Sequence, residues 1–473
     1  MWACDEFGRA ELGDPRWRQR LVGMAAVAAR WPGGRVSEVY RTDAERQGAY
    51  GLLESAAVES SEVGASMFRA CARRCTNEPI VLCAVDGSSL TLTDRGGGKE
   101  FGSVGARSKG AQGLKVISAL AISIQGVPVG LTAQVWWARS KRRARKDHTK
   151  RAVAEKETGH WLEAMKGTRE VMRSEAAGTK VWFQLDREGD AWPILEQADA
   201  EGHWFTVRGR HDRRVLRPSG EKTLLRTLLN EQSVVRRCSL SVTAGPNRAE
   251  RTACMGIRAC SAALDFRDRL TGRRFNKTVN VVLVREEGTT PAGEKPIEWL
   301  LLTNRPVETV EHLRQIVFGY AQRWRIEEFH RTWKSGACQV EESQLRSMES
   351  VVKWAMILAA VAVRIERIKL LSRREPERKA TDEFSALELR AITLLHFGKA
   401  AKQRFSAGIV PTLAEATLWV AKIGGYTGKS SGGPPGSIVI GRGLREVQVA
   451  VRALKALEGV ESGCAKERGS RSA

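Results

Sequence analysis

The sequence has neither a long apolar run nor a secretory signal. No apolar stretch reaches the ~20 residues that a membrane-spanning helix needs. The nearest candidate, residues 354–371, is interrupted by the charged residues Arg364, Glu366, Arg367 and Lys369. The N-terminus is charged and lacks the apolar core of a signal peptide. These absences predict a soluble, cytoplasmic protein without a membrane partner.

The cysteines follow no disulfide framework. Their number is odd, nine in all, and their scattered spacing favours reduced thiols. Only Cys71 and Cys75 lie close together, and no second cysteine or histidine pair accompanies them. We therefore favour two buried thiols on one helix over a zinc site.

Acidic residues are scarce relative to basic ones. The 473 residues include 77 Lys and Arg against 54 Asp and Glu, which gives a formal net charge of +23. Basic side chains gain affinity for phosphates by releasing counterions, so this surplus favours nucleic acid as a partner. A genome that prefers arginine would produce the same surplus without such a partner.

The pattern of apolar residues divides the chain into several regions, and its length suggests two or three domains. In chain order we predict a helical N-terminal region, an α/β core, a β-rich insertion in that core, a helical C-terminal region and a disordered tail, at residues 1–75, 76–372, about 211–294, 384–460 and 461–473. The first long helix should start after Asp14, which is a suitable N-cap.

Three acidic residues stand out by their positions. Residues 79–86 and 180–186 are short apolar runs that end in Asp86 and Asp186. Each run is typical of a buried strand whose last residue emerges at the edge of a sheet. Glu327 lies in a predicted helix. Carboxylates from different elements suit a pair of Mg²⁺ ions for phosphoryl transfer, although a single such Asp is more often a cap or a turn residue.

The helix predicted over residues 318–336 has two unlike faces. Around Tyr320, an arc of roughly 80° holds Arg323, Glu327, Arg331 and Lys334. The opposite side holds the apolar residues Ile326, Phe329 and Trp333, as a core-facing stripe should. Ion pairs along the helix would explain Glu327 and its arginines, but not Tyr320, Lys334 or the adjacent Trp324. A metal-binding carboxylate flanked by phosphate-binding groups explains all of them.

The spacing Tyr320-x2-Arg323-x3-Glu327-x6-Lys334 resembles the Y-R-E-K signature of DDE transposases of the insertion-sequence-four group. Further motifs follow in the order expected for that family, over nearly the whole chain: LGDPR, QGAYGLL, DGSSL, WW, DREGD, EWLLLTN and IGGY. The sequence departs slightly from the pattern of that family at Gly87-Ser88-Ser89, after Asp86, and at Gly189.

This resemblance implies an RNase H-like α/β catalytic core with helices on both faces of a mixed sheet. It implies that Asp86, Asp186 and Glu327 are the catalytic residues and bind two Mg²⁺ ions, for which Mn²⁺ can substitute. The implied reactions on double-stranded DNA are nicking at the transposon end, hairpin formation, hairpin opening and strand transfer. The implied DNA-binding residues are Tyr320, Arg323, Lys334, Arg331, Arg208, Trp299 and Trp324.

The resemblance also assigns roles to the outer regions and leaves alternatives open. The N-terminal helices would bind transposon ends, and the C-terminal region would mediate a homodimer around DNA. Three further acids, Glu188, Asp190 and Glu328, lie close enough in sequence to take the place of a catalytic one. The basic run 139–151 is either a DNA-contacting loop or a solvated stretch. The rival functions are an inactive DNA-binding relative or inhibitor, and a nuclease without strand transfer.

Overall fold

A computed structural model describes most of the chain. The described residues are 2–94, 97–105, 110–139, 152–217, 219–245, 248–268, 270–401, 403, 410–429 and 433–470, with the backbone alone at 154, 275 and 458–470. Of the basic run 139–151, only Arg139 is among these residues, so both alternatives for this run stay predictions.

Twelve strands of the described residues form one mixed sheet. They are β1 Ile80–Thr91, β2 Gly102–Ser103, β3 Gln112–Ile122, β4 Pro128–Trp137, β5 Lys180–Leu185, β6 Trp204–Arg208, β7 Arg214–Leu216, β8 Lys222–Leu224, β9 Arg236–Val242, β10 Arg251–Arg267, β11 Arg274–Glu286 and β12 Glu298–Thr303. Their order is β2-β3-β1-β5-β6-β12-β11-β10-β7-β8, with β4 on β3 and β9 on β10. The predicted β-rich insertion therefore extends the central sheet.

Helices precede, flank and follow this sheet. They are α1 Trp2–Phe7, α2 Pro15–Arg30, α3 Val36–Val39, α4 Asp43–Glu54, α5 Ser60–Cys75, α6 Glu157–Glu175, α7 Trp192–Gln197, α8 Leu225–Asn230, α9 Val310–Ala321, α10 Trp324–Lys334, α11 Met348–Arg374, α12 Ala386–Phe397, α13 Leu413–Ile423 and α14 Ser437–Ser470. No helix within the described ranges is long and apolar enough to cross a membrane.

The central strands bury both of their faces. Strands β1, β5 and β6 are parallel, and side chains along β1 alternate between two apolar clusters. Leu82 and Ala84 pack in the cluster that contains α9, α10 and α11. Cys83 and Val85 pack in the cluster that contains α6 and α7. The mixed sheet with helices on both faces confirms the predicted α/β core.

Helix α11 joins the N-terminal helices to the core. It is buried along nearly its whole length. Its Lys353 donates hydrogen bonds from Nζ to the carbonyls of Leu53 and Ser55, at 3.2 and 2.8 Å, where helix α4 ends. Within the N-terminal helical region, Asp14 is the N-cap of α2, as predicted. Because α11 also packs against α10, it contacts both the N-terminal unit and the helix that carries Glu327.

Two predicted boundaries were wrong. Strand β1 does not end at Asp86 but continues to Thr91, because the following residues pair with β3. The single helix predicted over 318–336 is divided into α9 and α10. Here the N–H groups of Arg323 and Ile326 bond to carbonyls three residues back, at 3.0 and 3.1 Å, which tightens the chain into a turn.

The predicted disorder of residues 461–473 stays a prediction. Helix α14 continues to Ser470, and residues 471–473 lie outside the described part of the chain. The segment CAKER at 464–468 consists largely of Ala, Lys, Glu and Arg, which have high helix propensity.

Candidate active site

Two adjacent parallel strands bring Asp86 and Asp186 together. The parallel ladder between β1 and β5 ends at the pair Val85 and Leu185, so the next residues are Asp86, still within β1, and Asp186, just after β5. Asp86 is 8% exposed, and Asp186 is partly buried and accepts the backbone N–H of Glu188 at 2.7 Å. The sheet register therefore places two carboxylates side by side at the end of this ladder.

Helix α10 brings Glu327 to the same place. The Nη1 atom of Arg323 lies 2.9 Å from Oδ2 of Asp86 and 3.4 Å from Oε1 of Glu327. One guanidinium nitrogen thus contacts a carboxylate from the sheet and a carboxylate from the helix. Ile326, Phe329 and Trp333 are fully buried on the other side of α10, which confirms the predicted core-facing stripe. Packing of that stripe fixes the direction of Glu327.

The three carboxylates repel one another, and Asp86 is buried whereas Asp186 and Glu327 are partly exposed. The pKa of Asp86 is raised to about 8, first by burial and then by the negative charge of Asp186, with a smaller contribution from Glu327. Arg323 opposes this shift but does not cancel it. Concentrated negative charge of this kind binds a divalent cation well, because the cation removes the repulsion that the fold maintains.

His330 is a member of this cluster that the sequence analysis missed. Ligand atoms of Asp86, Glu327 and His330 all lie within 4.8 Å of one another. The imidazole is buried, and burial, aided by Lys334 and Arg323, lowers its pKa to about 3, so it is neutral. The available signal was the spacing Glu327-x-x-His330, which places both side chains on one helix face.

The neighbouring acids have other partners. Glu328 forms ion pairs with Arg325 at 2.7 Å and with Lys369 at 3.2 Å. Asp190 has a fully buried side chain that pairs with Arg213 and also accepts backbone N–H groups at residues 210 and 211. Glu188 is exposed. Of the acids considered, the structure thus directs Glu327 towards Asp86 and holds Asp190 and Glu328 in structural ion pairs.

The predicted DNA-binding residues fall into two groups. Tyr320 is 4% exposed, and its ring meets that of Trp299 edge to face, with centroids 5.3 Å apart. Arg208 is close to Tyr320 and donates from Nη2 to the carbonyl of Glu298 at 2.9 Å. Together with Arg323, these residues line one side of the carboxylate cluster.

The other predicted residues are more open to solvent. Arg331 is exposed, and Trp324 is 54% exposed. Lys334 lies 3.6 Å from Glu341, which also accepts the backbone N–H of Thr91. The predicted DNA-binding residues of α9 and α10 therefore extend from the buried Tyr320 to the exposed Arg331 and the partly exposed Lys334.

The donor set fits a divalent metal ion. Carboxylate oxygens are the ligands that Mg²⁺ and Mn²⁺ prefer, and a neutral imidazole adds a nitrogen donor. The Nε2 atom of His330 is buried and has no hydrogen-bond partner among the described residues. Asp86, Glu327 and His330 have ligand atoms close enough to hold an ion, with Asp186 next to Asp86 as a further carboxylate. A bound ion would activate water or a hydroxyl group for attack on phosphorus.

Comparison with protein families agrees with this geometry. Residues 1–58 match the model for a transposase DNA-binding domain, and residues 193–364 match the model for a transposase DDE domain. DDE domains have an RNase H-like fold, which confirms the predicted fold class, and they generally use a divalent metal ion. The second match includes Glu327 and His330 but begins after Asp86 and Asp186. Taken together, the two matched domains support an enzyme, a DNA transposase of the DDE type whose partner is DNA.

Proposed function

We propose that this enzyme moves a DNA element by cutting and joining at a site built from Asp86, Asp186 and Glu327. The observation that supports this assignment is the contact of one Arg323 nitrogen with both Asp86 and Glu327, beside Asp186 at the end of the neighbouring strand. In the proposal, these carboxylates hold two Mg²⁺ ions, for which Mn²⁺ can substitute. The assignment follows the pattern of the insertion-sequence-four group.

The sequence of reactions in this proposal has four steps. Water first attacks a phosphodiester at the element's end, and the departing 3′ oxygen takes up a proton to become a 3′-OH. That hydroxyl attacks the opposite strand to form a hairpin, which frees the flanking strand with a new end. Water then opens the hairpin, and the regenerated 3′-OH attacks target DNA. Each step exchanges one phosphorus–oxygen bond for another, so no further reactant is needed.

The cations and aromatics near the carboxylates would hold the DNA. A guanidinium has five N–H donors, and Arg323 contacts Asp86 and Glu327 through Nη1 alone. Its remaining donors therefore suit a phosphate oxygen. Arg208 and Tyr320 would bind the same strand from the buried end, and Arg331 and Lys334 from the exposed end. Charge on these residues positions the DNA backbone rather than reading its sequence.

The hairpin step requires a nucleotide that leaves the base stack. An aromatic face recovers ~1–3 kcal/mol per stacked base. Trp299 is held beside the site by its edge-to-face contact with Tyr320, whereas Trp324 has more than half of its surface exposed. We propose that both rings lie along the path of the flipped base, with Trp299 as the stacking platform and Trp324 beside it.

A homodimer that forms around two element ends completes the proposal. Joining both ends to one target requires two active sites, and a symmetric pair supplies them. We propose that the N-terminal helices bind the ends and that the helical C-terminal region, residues 384–460, forms the contact between protomers. The bound DNA is expected to be the element's own terminal sequence.

The test is a reaction of the purified full-length enzyme with a plasmid that carries its gene and the native flanking DNA. With Mg²⁺ or Mn²⁺, and not with EDTA, we expect nicks at the element's ends, hairpin-ended fragments and joined products. Tight binding without any cut would show a DNA-binding relative instead. Cuts without joined products would show a nuclease, and either result would overturn the proposed cut-and-paste function.

A further inference from the structure

His330 lies one helical turn after Glu327 and faces the same way. Residues three apart on a helix are neighbours on its surface, and this spacing of glutamate and histidine recurs where helices supply metal ligands. The ligand atoms of His330, Glu327 and Asp86 lie within 4.8 Å of one another. Two ligands on opposite sides of one ion lie roughly 4–4.5 Å apart, so only a small movement closes the group around an ion.

The surroundings of His330 give its ring few other polar partners. Its ring packs against the rings of Phe329 and Trp333, with centroids 5.2 and 6.4 Å away. It is 6% exposed, and its Nε2 atom has no hydrogen-bond partner in the described structure. A buried polar atom without a partner is costly, so its presence needs a reason. An apolar side chain of similar size would fill the same space without that cost.

We propose that His330 binds the divalent ion as a nitrogen ligand, alongside oxygen atoms of Asp86 and Glu327. This inference rests on the metal site of the proposed function. Asp186 is not a member of the group of ligand atoms that includes His330. The two ion positions are therefore chemically unequal, with one between Asp86 and Asp186 ligated by oxygen alone and the other ligated by nitrogen as well.

The nitrogen ligand changes which ions the second position favours. Imidazole suits Mn²⁺ and later transition metals better than Mg²⁺, which prefers oxygen. Removal of His330 should therefore weaken Mn²⁺ binding more than Mg²⁺ binding. A side chain that only filled the core would leave both affinities unchanged. The ratio of the two affinities thus separates a ligand from a packing residue.

The test uses the full-length protein without DNA and Mn²⁺ as the probe. Pulsed electron paramagnetic resonance of bound Mn²⁺ should show modulation from a directly bonded ¹⁴N nucleus. His330→Gln should abolish this modulation and weaken binding at one site by about 10- to 100-fold. His312→Gln is the matched control, because His312 lies on α9 and pairs with Glu308 at 3.3 Å. The control should retain the modulation and the affinity.

Several results would overturn the inference. Bound Mn²⁺ without ¹⁴N modulation in the native protein would show that the imidazole is not a ligand, while leaving the proposed function intact. His330→Phe with unchanged Mn²⁺ affinity would show that the ring only fills space. No Mn²⁺ binding by the native protein at millimolar concentrations would overturn the metal site and the proposed function together. Should the variants fail to fold, the native spectrum decides alone.

Discussion

Glu327→Gln should lower the rate of DNA cleavage by about a thousandfold or more. Glutamine keeps the size of the side chain but removes the charge that holds the metal ion and balances Arg323. The ion pair with Arg323 at 3.4 Å is lost, while the buried stripe on the other side of α10 is untouched. The fold should therefore persist. Single-turnover cleavage of a plasmid with the element's ends measures the effect.

Glu328→Gln is the matched control for this prediction. It removes one charge from the adjacent position of the same helix, where Glu328 pairs with Arg325 and Lys369. Loss of one partner from this part-buried group should cost some thermal stability, but the cleavage rate per folded molecule should change less than about fivefold. The reverse order of the two effects would mean that α10 presents the other glutamate to the metal.

Asp86→Asn should abolish cleavage and at the same time stabilise the metal-free protein. The folded protein keeps the pKa of Asp86 at about 8, above its ordinary value of 3.8, because of burial and the charge of Asp186. The folded state therefore holds this proton more tightly than the unfolded chain. The stability of the native protein falls as pH rises from about 4 to about 8 and then levels off. Asparagine removes that loss but also weakens the contacts of the carboxylate with Arg323 and the backbone N–H of Gly87, so we expect a net gain of about 1–2 kcal/mol.

Thermal unfolding at several pH values measures this second prediction. With EDTA, the melting temperature of Asp86→Asn should exceed that of the native protein, and the difference should grow from pH 5 to pH 8. Mg²⁺ should reverse the order, because it stabilises only the protein that binds it. A variant that melts lower than the native protein at pH 8 without metal would show that the pair of Asp86 and Arg323 outweighs the repulsion.

Local patterns predicted the parts of the site that local forces determine. The helical period correctly identified Ile326, Phe329 and Trp333 as buried. It also placed Glu327, rather than its neighbour, on the opposite face. The apolar runs before Asp86 and Asp186 correctly predicted buried strands. Such signals depend only on which side of a helix or strand meets the core.

Contacts between residues distant along the chain could not be predicted from the sequence. In DREGD the acids look alike, and only the fold shows that Asp190 is bound by Arg213, 23 residues away. The tight turn between α9 and α10 was missed because no Gly or Pro marks it. His330 was missed because it lies between the core stripe and the face of Glu327 on the helix, and only the register of α10 against β1 brings it to Asp86.

The most direct measurement replaces Mg²⁺ with Fe²⁺ and maps where the protein chain is cut. With ascorbate and peroxide, bound Fe²⁺ generates radicals that cleave the backbone only near the ion. Cuts should cluster around residues 86, 186 and 327, should be suppressed by excess Mg²⁺, and should disappear near all three positions in Asp86→Asn, which removes the carboxylate shared by both ion positions. Cuts clustered elsewhere, or unaffected by that substitution, would contradict the claim that these three carboxylates form the metal site.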